Sequence, residues 1–420
     1  MPTNPLWLSA ERAVRLVNAL LVTIVVARHL GVAEYGIYAQ SVAWAAFAAP
    51  FSTLGLDRVV IGRYVKATAS GRRVLPFIGT LLYLRLISTT IASILIFLLA
   101  SVVSGAEVGC IALIASAANV FQVGDVMEHR LVASGRLRSL APLRVALGAV
   151  ALGARMVLVL CDASLYWFAA AFILDSMMAS FVLIGFHRHH EGRELVSALS
   201  VRLRRMYATR ILRVAAPYAI NLLVHVFYLR IATILTGRIL GGESAGLFSI
   251  ATRLYEGVLP LAAAASAAIY PKLVAASGDK IKMQAILVFQ FRRLMVGGVL
   301  VMIVYQIFAW RGFPLVIGGD YGKSAMILAI MALAAPLHFT LNLRANYLTL
   351  VNKSNAILKI TILSAIFSFM IMWAMIACAG LHGAAWGYVM CVIFNSVGVN
   401  IFMPELKEYN RMLWRRYGQV

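Results

Sequence analysis

The sequence predicts an all-α polytopic membrane protein, with about twelve transmembrane helices in two six-helix bundles. Three observations predict it: the composition, the recurrence of long apolar runs, and a repeat of half the chain length. Of the 420 residues, 62% are apolar and only 13% are Asp, Glu, Lys or Arg. A soluble domain runs at roughly 45–50% apolar and about 25% charged. Too few polar side chains remain to cover a soluble surface of this size, and the chain is far too apolar for intrinsic disorder.

A spanning helix needs about 20 largely apolar residues. Such runs recur from end to end, at 6–28, 36–57, 76–104, 107–127, 140–161, 164–186, 214–237, 246–270, 286–310, 324–348, 356–379 and 382–403. They do not alternate polar with apolar residues, and strands of a membrane barrel would be only ~10 residues long.

The formal charge is +22, from 38 Lys and Arg against 16 Asp and Glu. Its placement reads as topology rather than as an affinity for nucleic acid. The segments 58–75, 128–140, 187–213, 271–293 and 344–359, with the tail after 403, hold 27 of the 38 basic residues. The intervening connections hold Arg28, Arg238, Arg311 and Lys323 alone. Basic residues near span ends stay on the cytoplasmic side, so the even-numbered connections and both termini are expected there. Met1–Ser9 has no basic n-region and no small-residue cleavage site, so it does not read as a removable signal. Cys110, Cys161, Cys378 and Cys391 are dispersed and read as small apolar residues.

The repeat has an offset of 210 residues. Arg28-His29-Leu30-Gly31 meets Arg238-Ile239-Leu240-Gly241, Gly36-Ile37-Tyr38 meets Gly246-Leu247-Phe248, and Pro50 meets Pro260. The glycines fall in the short connection between the first two spans of each half. The prolines fall deep in the second span, where each is expected to bend the helix as a hinge. Six spans per half give both halves the same orientation. The expected organisation is therefore an N-terminal bundle at 1–187, a basic linker at 188–213 carrying an amphipathic helix around Leu195–Met206, a C-terminal bundle at 214–403 and a basic tail at 404–420.

A charge in the bilayer centre costs ~2.5–3.5 kcal/mol on insertion scales, so it faces a cavity or a partner. Seven arginines fall inside spans: Arg12, Arg15, Arg85, Arg144, Arg155, Arg230 and Arg253. Glu11, Asp125, Asp175 and Glu256 are the acids at comparable positions. Glu11, Arg15 and Asn18 share a face of the first helix, and Asn221, His225 and Tyr228 share one of the seventh. Arg253, Glu256 and Pro260 do so in the eighth, and Arg144, Gly148, Ala151 and Arg155 form a stripe on the fifth. Arg85 stands alone, one turn before Ser88 and Thr89. These residues are read as a cationic binding cavity, with Asn18, Asn221 and His225 as polar lining and Glu256 or Asp175 as a site of proton coupling. The bland alternative gives several of them to headgroup snorkelling or to ion pairs between helices.

No catalytic constellation is read here: GxGxxG after a strand, the P-loop and HExxH are all missing. No cofactor or metal is expected. Without a P-loop, transport must draw on a gradient, on the membrane potential or on the cargo.

The stretch Arg28-His29-Leu30-Gly31-Val32-Ala33-Glu34-Tyr35-Gly36-Ile37-Tyr38 resembles the opening signature of the polysaccharide flippase family, the O-antigen flippases. Leu54-Gly55-Leu56 with Arg58, Gly246-Leu247-Phe248-Ser249, Ile269-Tyr270-Pro271, Gly318-Gly319-Asp320-Tyr321 and Gly383-Ala384-Ala385 fit it in order and spacing. That family shares a superfamily with multidrug exporters of the MATE type and with lipid II flippases. The resemblance implies a two-bundle fold with a central V-shaped cavity, in a bacterial inner membrane. It implies a cargo of undecaprenyl-pyrophosphate-linked oligosaccharide, with membrane lipids, a polysaccharide polymerase and glycosyltransferases as partners. Many relatives carry an acid two residues after the arginine of the seventh span, whereas here Arg230 is followed by Ile231 and Ala232. The rival expectation is an ion-coupled drug or metabolite exporter, whose cationic cargo would favour acids over arginines.

Overall fold

The structure is a computed structural model that describes residues 5–70, 75–133, 141–191, 205–351 and 353–414. The described residues form helices joined by short turns, with no strand among them. Among the described residues eight helices are long and apolar enough to cross a membrane, or nine if the pair Gly319–Ala332 and Ala335–Leu350, bent by 53°, counts as one. The chain is thus the multi-pass, all-α protein that the composition predicts.

Two of the eight hold a positive-φ glycine inside them. Leu16–Thr53 has 38 residues and Ala356–Phe402 has 47. At ~1.5 Å per residue either would overshoot a hydrocarbon core of ~30 Å by a wide margin. Each is broken inside, at Gly31 (φ 70°, ψ 177°) and at Gly380 (φ 57°, ψ −134°). Gly31 and its repeat mate Gly241 (φ 91°) both occupy the left-handed region that only glycine enters cheaply. The sequence places its first connection in each half at these two residues. A shorter apolar helix, Ala106–Gln122, passes at its end into a 3-10 turn over Ala118–Gly124.

By contact the chain separates into two compact units: residues 1–30 with 37–230, and residues 31–36 with 231–420. In the first unit Leu56, Val60, Leu81, Val126 and Leu131 form a fully buried apolar cluster. In the second, Leu273, Leu287, Leu343, Val399 and Leu406 do the same. Large apolar side chains such as Leu98, Val157, Phe289, Leu300 and Trp373 point outward, while Ala48, Ala100 and Ala112 pack inside. Hydrocarbon draws no apolar side chain inward, so contacts between helices favour small residues.

The connection Gly31–Gly36 belongs to the second unit and packs closely against it. A Cβ on Gly36 would lie 1.8 Å from the Gly242 carbonyl oxygen, and one on Gly246 would lie 2.2 Å from the Val32 carbonyl oxygen. Tyr35 meets Tyr321 edge-on at 6.2 Å beside it.

Both repeat prolines begin a new helical segment. Pro50 follows a 3-10 turn at Ala46–Ala48 and opens Ala49–Thr53. Pro260 follows a break at Gly257 and Val258 and opens Leu259–Ala275. Elsewhere Asp279 caps Lys280–Ile307, its carboxylate accepting from the Ile281 and Lys282 amides at 3.1 Å. These bonds hold its pKa below the usual carboxylate range. The expected linker helix over Leu195–Met206 lies outside the described residues except for its last two, where Arg205–Leu240 begins.

Gly36→Ala and Gly246→Ala should each lower the thermal midpoint of the detergent-purified protein, as overpacking by ~1–3 kcal/mol does. Gly62→Ala, which meets no atom within 4 Å, should leave it within error, as read by fluorescence-detected size-exclusion chromatography after heating.

Candidate functional site: the interior cations

Arg155 lies on the Ala141–Leu160 helix and is 2% exposed. Its guanidinium grips Asp175, on Leu165–Glu191, in a bidentate pair: Nη1 donates to Oδ1 at 2.7 Å and Nη2 to Oδ2 at 2.5 Å. Nη1 also donates to the Ala151 carbonyl at 3.0 Å, and the Phe172 ring lies 5.7 Å from the guanidinium carbon. Two parallel charge-assisted bonds fix both side chains. The sequence assigns Arg155 to cargo and Asp175 to proton coupling; the structure joins them in one ion pair between two helices.

Arg85, 5% exposed, reaches a helix end. Its Nη2 donates to the Thr53 carbonyl at 3.0 Å and lies 3.4 Å from Asp57 Oδ1, which His129 Nε2 also approaches at 3.2 Å. Ser88 donates to the Phe51 carbonyl at 2.8 Å in the same turn. The last carbonyls of a helix have no intrahelical donor. Here a cation and a hydroxyl supply donors where the chain turns through Leu54 and Gly55, both with positive φ.

Arg144 pairs with Glu128. Asn18 donates to the Gly148 carbonyl at 2.8 Å, and beside this bond runs a 340 Å³ groove lined by Val14, Val145, Leu152 and Met156. Its walls are almost wholly apolar, so it is no cationic passage. Asn221 is half-buried, and its Oδ1 is enclosed without a hydrogen-bond partner among the described residues. His225 is exposed, and Arg230 is half-buried. The side chains of Glu11, Arg12 and Arg15 lie outside the described residues.

In the second unit Arg253 and Glu256 are half-buried at the end of Gly242–Glu256. The Arg253 guanidinium makes no ion pair or hydrogen bond among the described residues. Its neighbour Tyr255 is fully buried, lies 3.2 Å from His338 Nδ1 and meets Tyr388 edge-on.

Sequence reasoning missed one interior cation. Arg344 is counted above with the basic segment 344–359, yet it is 7% exposed inside Ala335–Leu350. Its Nη1 donates to the Asn395 carbonyl at 2.5 Å and to Asn400 Oδ1 at 3.1 Å, and its Nη2 to Asn395 Oδ1 at 2.8 Å. The available signal was Leu341, Leu343 and Leu348 flanking it within the apolar run 324–348. Among the described residues no three His, Cys, Asp or Glu side chains gather to hold a metal.

Arg155→Ala leaves the half-buried Asp175 carboxylate without its guanidinium. Breaking a fully buried pair costs about 3–5 kcal/mol; with Asp175 partly exposed, about 2 kcal/mol is expected, read as a lowered thermal midpoint. Arg155→Met combined with Asp175→Leu should recover most of it. Additive effects of the two changes would show that the pair contributes no coupling.

Against solved structures, the chain is similar to the lipid II flippase MurJ in an inward closed conformation, with a TM-score of 0.75 at 13% identity over 96% of this chain and 89% of that one. It is similar to an inward-facing multidrug resistance MATE family transporter of the MOP superfamily, with a TM-score of 0.71 at 14% identity over 96% and 94%. The eukaryotic MATE transporter AtDTX14 gives 0.61 at 11% identity over 96% of each. At these identities the likeness shows the fold. Among curated proteins none matches the chain. Residues 4–277, well over half the chain, match the family described as Polysaccharide biosynthesis protein, and the chain belongs to that family.

Proposed function

We propose that the chain is a flippase that moves an undecaprenyl-pyrophosphate-linked oligosaccharide from the cytoplasmic to the periplasmic leaflet of a bacterial inner membrane, for O-antigen, capsule or exopolysaccharide synthesis. The observation that carries this reading is a polysaccharide-biosynthesis family match on a chain whose fold is shared with a lipid flippase. In this reading the chain crosses the membrane twelve times. The two glycine-broken helices give two crossings each, and the bent pair and Ala106–Gln122 give one apiece.

The pyrophosphate headgroup needs cations that the protein does not already use. Arg85, Arg144 and Arg155 face acids of their own unit. Arg253 has no such acid among the described residues, and its guanidinium fork suits phosphate oxygens. It is therefore the foremost of the seven for the cargo. Alternating access would present the bound headgroup to one face and then the other. Export of an anion runs with an inside-negative potential worth ~2.3 kcal/mol per charge per 100 mV, so coupling through Glu256 is not required. Asp175 would first have to leave Arg155 before it could carry a proton.

Cells lacking the chain should accumulate the lipid-linked glycan on the cytoplasmic face, and Arg253→Ala should fail to restore export while inserting normally. Export rescued by Arg253→Lys would show that charge suffices. Undiminished surface glycan in the deletion strain, measured with a membrane-impermeant label, would remove the reading in favour of an exporter of another cargo.

A further inference from the structure

Away from Arg253, the second unit holds a 480 Å³ cavity whose features single out a ligand class. Its walls come from Lys280–Ile307, Ala335–Leu350, the segment Phe394–Phe402 and the C-terminal helix Lys407–Trp414. One side is apolar, with Met295, Leu337, Leu341 and Ile401; the other carries Arg344, Asn400 and Asn410. Its size falls in the ~300–1,000 Å³ range of small-molecule pockets.

The polar side is built rather than incidental. Phe394–Gly398 is a π-helical turn, a form that often marks functional sites. That turn presents both oxygens of Asn395 to Arg344, and Ser364 donates to Asn395 Oδ1 at 3.2 Å. Asn410 donates to the Asn400 carbonyl at 2.6 Å and ties the C-terminal helix to the same corner. The guanidinium is thus held in a fixed plane by amide oxygens at the polar edge of an apolar slot.

Position supplies the rest. Arg344 lies six residues before the end of its helix at Leu350, about 9 Å in at ~1.5 Å per residue. Around this end of the unit Lys280, Lys282 and Lys359 are exposed, beside Glu408, Asp279 and Glu405 respectively. At the rim of the cavity Ile401 is 70% exposed and Phe402 beside it 67%, an apolar face of the kind that meets lipid. Basic pockets between spanning helices near a membrane surface bind anionic lipid headgroups.

We infer that this cavity is a binding site for an anionic phospholipid, with its phosphate at Arg344, Asn400 and Asn410 and an acyl chain along Leu341, Leu337 and Ile401. The site is separate from the cargo cations and does not rest on the identity of the cargo.

The test is native mass spectrometry of the full chain, released from neutral detergent and titrated with phosphatidylglycerol or phosphatidylcholine. Wild type should retain phosphatidylglycerol at least about tenfold more tightly, a difference of ~1.4 kcal/mol. Arg344→Gln should reduce retention to the phosphatidylcholine level, and Arg344→Lys should restore part of it. Ile401→Trp fills the opening from a lipid-facing position and should lose the lipid with an unchanged thermal midpoint, so it carries the test if Arg344→Gln does not fold. Equal retention by wild type and Ile401→Trp would overturn the inference. So would displacement by inorganic phosphate at the same concentration, which would make the site one for the free anion. Preference for undecaprenyl pyrophosphate over phosphatidylglycerol would assign the slot to cargo, and would equally overturn it.

Discussion

A guanidinium among lipid-facing helices must find oxygen or water, and the structure meets that constraint with oxygen. Of the described arginines, three are buried: Arg85, Arg155 and Arg344. Each bonds across to another element, at the Thr53 carbonyl, at Asp175 and at Asn395. Hydrocarbon offers no hydrophobic force between helices, so packing of small residues and polar bonds between helices hold the units together. The arginines therefore have a structural use before they have any use in transport. The same constraint accounts for the acids: Asp57, Glu128 and Asp175 each lie on the element that faces a cation.

This bears on how an excess of interior arginine is to be read. An excess in the sequence counts cations along the chain, whereas a binding site needs cations whose charge is not already matched in space. Arg144 and Arg155 share a stripe on one helix, and periodicity alone makes them a pair of cargo contacts. In the structure they part company, one with Glu128 and the other with Asp175. Periodicity tells which residues share a face but not what that face meets.

The fold was legible because it rests on composition and on backbone freedom, both local properties. Gly31, Gly105, Gly241 and Gly380 mark the ends of apolar runs in the sequence and carry positive φ in the structure. The site was far less legible. Asp175 lies 20 residues from Arg155, and Asn395 lies 51 from Arg344, so no spacing rule reaches either bond. Arg344 was also hidden by its neighbours: counted with Lys353 and Lys359 it looks like one more topological charge. Only burial separates it from them.

The matched prolines show how a repeat can carry mechanics as well as shape. Proline at the first turn of a helix sacrifices no intrahelical bond, because that N–H has no partner there in any case. Pro50 and Pro260 both take this place, so neither kinks a continuous helix; each fixes where a second segment starts. What can bend is the turn before it. In the second copy that turn is held by Val258 N–H to the Tyr255 carbonyl at 3.5 Å, a long bond, and by Gly257 N–H to the Arg253 carbonyl at 3.1 Å. The ladders of the two segments lie on either side of that turn. Arg253 and Glu256 are the side chains at that turn. In the proposed reading, a phosphate held by Arg253 would sit at the turn that joins the two segments.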